Sequence, residues 1–216
     1  QHKHKHKRSW SIHKNGKADI FINPAKLTGE IKEHLADVNI LPLEDIKNIK
    51  AKTIQLDESN CPMSIYSVFK DGELINKTDP CQLPKAIKNE AEISAIKKAH
   101  DIDGRAVTKF LDWLQNQLGT DELSAALRLA EYRRENPEYI GPSFTTISGF
   151  GSNGAIVHYS ASEKTNKRFE NDNLYLVDSG GQYFGQEDQI QACGTTDVTR
   201  TIAIGTPTDE MKHNYT

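Results

Sequence analysis

The chain has little cysteine: three residues in 216, at Cys61, Cys81 and Cys193. Their number is odd and their spacing matches no metal-binding pattern, which excludes a disulfide framework and a thiolate zinc site. They read as free thiols of a reducing compartment, and the cytoplasm is the expected location. An excess of one charge is lacking too. Lys+Arg number 27 against 30 Asp+Glu, a net charge of −3, so nothing draws the chain electrostatically to nucleic acid or to an anionic membrane. No apolar run approaches the length of a bilayer span, and residues 1–30 show no secretory-signal pattern. Aromatic residues make up 7% and hydrophobic residues 36%, with a mean hydropathy of −0.64. That is polar for a compact enzyme. A core is affordable at this length, but part of the chain is expected to lack its packing partner.

What is present begins with "QHKHKHKRSW", alternating His and Lys. It reads either as a metal-binding tract or as a mobile basic end. The second reading is favoured, because lysines repel a cation and no carboxylate lies close by. In "SWSIHKNGKADIFI", Asn15-Gly16 predicts a two-residue hairpin turn between short strands. Pro24 opens a helical pattern in which Ile31, Leu35 and Val38 recur, "NILPL" reads as a strand and "EDIKNIK" as a helix start. The section to residue 83 is thus a small alternating α/β unit with few strands of its own.

A boundary is expected near "KTDPCQLPKAIKNEAE", giving sections 1–83 and 84–216. A helix is predicted after Pro84, with Ile96, Ala99, Val107, Phe110, Leu114 and Leu118 as its apolar stripe and Gly119 closing it. Thr120 is the predicted N-cap of a second helix, "DELSAALRLAEYRREN", ending before Pro137. Beyond Pro142 the period becomes two. "SFTTISGFG", "AIVHYS", "LYLVDSGGQYF" and "TDVTRTIAIG" are strand candidates, and Thr208 caps a last helix. Two helices followed by a largely antiparallel sheet make an α+β pattern.

The chemistry centres on two aspartates. Asp178 ends the apolar run "LYLV", where a carboxylate is costly unless it is paired or bound to a cation. Asp197 sits in "GTTDVTR", where alternation puts it on one face with Thr199. Brought together on adjacent strands, the two carboxylates call for a divalent ion. Oxygen ligands suit Mn²⁺, Mg²⁺ or Co²⁺, with Zn²⁺ also accommodated. The competing reading makes Asp178 a turn residue and pairs Asp197 with Arg200. His158 in "NGAIVHY" reads either as a site residue or as a hydrogen-bonded core histidine. "TTISGFGSNG" fits no phosphate-loop or dinucleotide pattern, and Ser179 has no nucleophile elbow around it.

Four stretches, "KAIKNEAEISAIKKAH", "SGFGSNGAIVHY", "LYLVDSGGQY" and "GTTDVTRTIAIGTPT", resemble the Xaa-Pro aminopeptidases of the pita-bread metallopeptidases. The resemblance covers residues 84–216. "ADIFINPAKLTGEIKEHL" resembles the end of the creatinase-like domain that precedes the catalytic domain in three-domain members. The resemblance implies a fold: the N-terminal part of a pita-bread domain after the end of a creatinase-like α/β domain. It implies metal-ligand roles for Asp178 and Asp197, the latter bridging two divalent ions, usually Mn²⁺. It implies that His158 is catalytic and contacts a peptide substrate with proline at position 2. A homodimer is the implied assembly of the whole protein. The family completes its metal site with one histidine and two glutamates beyond the second aspartate, and none of those motifs occurs before Thr216. The expectation is therefore an incomplete, inactive fragment of the enzyme. The alternatives are a truncated non-catalytic homologue acting by association and a prolidase-like dipeptidase. One departure stands out: "FGQEDQIQAC", Phe184–Cys193, replaces a tight turn of the family and reads as an exposed hairpin tip.

Overall fold

The structure is a computed structural model that describes residues 8–115, 117–170, 172–185 and 193–215. The chain divides into two compact units, Gln1–Ala86 and Ile87–Thr216. The His/Lys tract at residues 1–7 and most of the Phe184–Cys193 insertion lie outside the described residues.

In the first unit, β1 (Arg8–Ile12) runs antiparallel to β2 (Ala18–Ile22), which pairs in parallel with β3 (Val38–Leu41). The β1–β2 connection is longer than a two-residue turn. His13 N donates to Lys17 O, Gly16 N donates to His13 O, and of the two central residues only Gly16 has positive φ. This is a three-residue loop ending in a left-handed residue. The helical pattern after Pro24 is realised as a 3₁₀ turn, Pro24–Lys26, and a short helix α1 (Gly29–His34) capped by Thr28. Leu35 only closes that helix, and Val38 already belongs to β3. A 3₁₀ segment, Leu43–Asn48, leads to β4 (Thr53–Leu56). Then follow α2 (Met63–Phe69), β5 (Glu73–Asn76), parallel to β4, and α3 (Gln82–Ala86). Phe21, Ile46 and Phe69 form the core. The buried Asp19 carboxylate has Ser11 Oγ, Asn39 Nδ2 and His13 Nε2 within 2.6–3.0 Å. Burial pushes its pKa up, but these hydrogen bonds outweigh burial and hold it below the usual carboxylate value.

The second unit opens with α4 (Glu90–Leu114), which starts later than Pro84 because Asn89 and Glu92 form a reciprocal capping box. Its stripe Ala99, Ile102, Ala106, Val107, Phe110 and Leu114 is buried. Leu118 lies beyond the helix and is exposed, and Gly119 belongs to the following loop, its N–H donating to Phe169 O. The N-cap of α5 (Glu122–Arg134) is Asp121 rather than Thr120; its carboxylate accepts from Ser124 N. Thr120 O accepts from Phe169 N instead.

The sheet follows. β6 (Tyr139–Pro142), β9 (Gly181–Phe184) and β10 (Cys193–Thr195) form one three-stranded antiparallel sheet. β7 (Ile147–Phe150), β8 (Asn173–Ser179) and β11 (Val198–Ile204) form another. Each strand of one sheet continues a strand of the other: β6 into β7, β8 into β9, β10 into β11. The result is one three-stranded ribbon creased at Ser143, Gly180 and Thr196. The crease is closed by hydrogen bonds. Ser143 N donates to Gly180 O, Thr196 N donates to Gly181 O, Ser143 Oγ donates to Thr196 O (3.0 Å) and Gly181 N donates to Thr196 Oγ1 (2.9 Å). The helices cover this ribbon through a core that includes Phe110, Leu129, Phe150, Phe169, Tyr175 and Val177. "AIVHYS" is not a strand. A 3₁₀ turn, Gly151–Ala155, folds back on β7, because Gly149 and Gly154 approach so closely that a Cβ on Gly149 would stand 2.8 Å from Gly154 Cα. The chain ends in α6 (Asp209–Tyr215), with Met211 N donating to Thr208 Oγ1. Among the described residues no helix is long and apolar enough to cross a membrane.

Candidate metal centre

Asp178 is the penultimate residue of β8, in register with Ile147 of β7 and Thr199 of β11. It is a strand residue, so the turn reading fails. Asp197 is exposed and immediately precedes β11. With Thr199 opposite Asp178, Asp197 stands diagonally across the ladder, the placement through which side chains two positions apart interact. The two aspartates therefore flank the crease on neighbouring strands. No ion pair joins Asp197 to Arg200 among the described residues; the Arg200 guanidinium donates to Thr199 O instead.

The electrostatics of Asp178 fit a cation. Its Oδ1 is buried without a hydrogen-bond partner, one of two such side-chain atoms among the described residues; the other is Glu138 Oε2. A buried carboxylate oxygen without donors is costly unless a positive charge compensates it. Two oxygen donors suit a hard divalent ion as part of a ligand set. The described residues contain no group of three His, Cys, Asp or Glu side chains that could hold a metal ion by itself.

His158 is exposed, so the core-histidine reading fails, and it adopts φ +54°. It is the single non-glycine residue with positive φ among the described residues. A left-handed residue other than glycine is strained and persists where its surroundings hold it. No hydrogen bond or ion pair links it to either aspartate among the described residues. What holds it is its neighbour. Tyr159 is buried, and its hydroxyl donates to Glu122 Oε2 (2.8 Å). Glu122 is fully buried and also accepts from Phe150 N (2.7 Å), Asn153 Nδ2 (2.9 and 3.1 Å) and Lys167 N (3.1 Å). One carboxylate thus pins the loop that carries His158 at several points. Burial raises the Tyr159 pKa, and the Glu122 carboxylate raises it further, keeping the phenol a donor. Relieving the strain has a measurable consequence. His158→Gly should stabilise the protein by about 0.5–1 kcal/mol, since glycine adopts this φ without steric cost but is freer when unfolded. Thermal unfolding reads this; a lower midpoint for the variant would show that the histidine side chain makes a stabilising contact.

A second buried polar cluster lies behind the crease. Arg133 donates through Nε to Asp103 Oδ1 (2.7 Å) and through Nη2 to Asp103 Oδ2 (3.2 Å) and Ser179 Oγ (3.1 Å). Tyr183 OH donates to Asp103 Oδ1 (2.6 Å). Asp103 is 0% and Arg133 2% exposed. Burial, then the Asp103 hydrogen bond and charge, push the Tyr183 pKa far up. Sequence reasoning missed Asp103, Glu122 and Arg133, although each carried a signal. Asp103 falls on the α4 stripe, and Glu122, Ala125, Leu129 and Arg133 form the buried face of α5 at helical spacing. A charge at such a position must be paired.

A creased antiparallel sheet backed by two helices, with Asp178 and Asp197 flanking the crease and a separate α/β unit before it in sequence, is the pita-bread arrangement preceded by a creatinase-type N-terminal domain. The chain belongs to metallopeptidase family M24, whose model matches residues 94–216, while the creatinase/prolidase N-terminal domain matches residues 9–92. The chain is 34% identical to Xaa-Pro aminopeptidase ApepP of Drosophila melanogaster over 96% of its own length and 35% of that protein's. It is 35% identical to Xaa-Pro aminopeptidase 2 of Mus musculus over 96% of its length and 32% of that protein's. It thus spans about a third of the length of these relatives. Among solved structures, an X-prolyl aminopeptidase from Caenorhabditis elegans, described as a cytosolic enzyme with a di-nuclear active site, matches with a TM-score of 0.73. It is 28% identical over 90% of this chain and 33% of that one.

Proposed function

We propose that this chain is part of a metal-dependent aminopeptidase that releases the N-terminal residue from peptides with proline at position 2. In this reading residues 1–83 are the end of the creatinase-like domain and residues 84–216 the first half of the catalytic domain. The observation that carries the proposal is the buried, partnerless Oδ1 of Asp178 at a crease flanked by Asp197. Asp178 and Asp197 supply carboxylates to two divalent ions, Mn²⁺ before Zn²⁺ or Co²⁺. Bound there, such ions lower the pKa of a water and polarise a carbonyl. His158, exposed on a pinned loop, offers its imidazole as a hydrogen-bond donor to the substrate. The relatives named as Xaa-Pro aminopeptidases and the di-nuclear site of the worm enzyme support this reading. The free thiols at Cys61, Cys81 and Cys193 agree with a cytoplasmic location, as for the worm enzyme, and a homodimer is the proposed assembly of the complete protein. With two of its ligands alone, residues 1–216 bind Mn²⁺ weakly and do not turn over.

The test compares variants of the full-length protein by metal analysis and steady-state kinetics on an Xaa-Pro peptide. Asp178→Ala and Asp197→Ala should lose metal and activity together. His158→Gly should keep its metal while kcat/KM falls by roughly 10²-fold, the scale of one lost stabilising donor. Full metal content in both aspartate variants would sink the proposal. Metal loss in His158→Gly would make the histidine a ligand.

A further inference from the structure

We propose that the buried Asp103–Arg133 ion pair is a positioning device for the metal centre, acting through Ser179 on the Asp178 carboxylate. The inference rests on the metal-binding reading above. The buried Asp178 Oδ1 has no hydrogen-bond partner, so its aim comes from the strand that carries it. The ion pair holds that strand on both sides of Gly180: Ser179 Oγ accepts from Arg133 Nη2 before the crease, and Tyr183 OH donates to Asp103 after it. Alternation along β8 turns Asp178 and Ser179 to opposite faces. Arg133 therefore reaches the strand from behind, one residue from the carboxylate and on the side away from it.

Stability alone is a poor reason for such a pair. Desolvating both charges offsets much of their attraction, and apolar side chains of similar volume commonly serve as well. A planar guanidinium bridging a carboxylate and a hydroxyl adds direction that apolar packing lacks. Asp103 on α4 and Arg133 on α5 thereby set the twist of β8 at the point where the metal carboxylate leaves it. Residues that orient metal ligands from behind typically alter metal affinity 10- to 100-fold when removed.

The experiment uses the full-length protein, stripped of metal and titrated with Mn²⁺, with dissociation constants and the Mn²⁺ electron-spin-resonance line shape as readouts. Ser179→Ala removes the acceptor and leaves the ion pair intact. It should weaken Mn²⁺ binding about tenfold and alter the line shape. Ser179→Thr keeps a hydroxyl and should recover most of the affinity. Ser148→Ala is the control for stability alone, because Ser148 is equally buried on β7 and its hydroxyl bonds Glu122 O and Tyr175 OH. It should lower the unfolding midpoint without moving the dissociation constant. If the parent binds Mn²⁺ and Ser179→Ala binds it equally well, or if Ser148→Ala weakens binding as much, the positioning role is wrong. A parent that binds no Mn²⁺ overturns the metal-binding reading and this inference with it.

Discussion

Gly180→Ala should severely destabilise the second unit. A Cβ at this position would stand 1.8 Å from Thr196 O, 2.3 Å from Ser143 Oγ and 2.7 Å from Thr196 C. Two of these atoms are backbone, and Thr196 is fixed by its exchange of hydrogen bonds with Gly181. Turning the Ser143 hydroxyl aside would leave both backbone contacts in place. Accommodation means parting the strands at the crease, where Ser143 N–Gly180 O and Ser143 Oγ–Thr196 O would be lost. The expected cost is about 4–5 kcal/mol or more, the range of severe single substitutions. Urea unfolding of the purified variant measures it. A midpoint within error of the parent would mean that the crease is not closed as described.

A loss of about 3–5 kcal/mol is also expected for Glu122→Ala. The carboxylate satisfies Phe150 N, Lys167 N, Asn153 Nδ2 and Tyr159 OH in a site closed to solvent. Alanine strands Phe150 N and Lys167 N, while Asn153 Nδ2 and Tyr159 OH keep Thr165 O as an acceptor. A buried donor without a partner costs about 1–3 kcal/mol, and water entering the space left behind recovers part of the sum. Because these donors pin the loop between β7 and β8, amide exchange should accelerate across residues 150–167 more than in α4. Uniform acceleration across the unit would mean that Glu122 supports the whole core rather than this loop.

Much of this molecule was legible in the sequence, and the failures share a cause. The stripe of α4, the segment of α5 ending before Pro137 and the alternation of β8 and β11 are local patterns, and they predicted that these elements exist, though not where each helix begins. The aspartates stood out because each carboxylate closes or opens an apolar run among small residues. "AIVHYS" read as a strand because its apolar residues were counted without the loop's polar anchors. Asn153 and Tyr159 converge on Glu122, about thirty or more residues earlier, and Val157 is left 83% exposed. Asp103 and Arg133 were overlooked for the same reason, since Tyr183 and Ser179, their partners, come from distant strands. The glycines after Asp178 suggested a turn. In the fold they let three backbones meet without reversing direction.

The crease also bears on how the chain tolerates changes of length. Residues 193–195 pair regularly with 182–184, and the ladder from Gly181–Thr196 onward is fixed by hydrogen bonds at the crease itself. Register is thus counted from the crease and not from the hairpin tip. Residues gained or lost between Phe184 and Cys193 leave that origin where it is. A change of length in this connection is therefore expected to leave the spacing between Asp178 and Asp197 as it is.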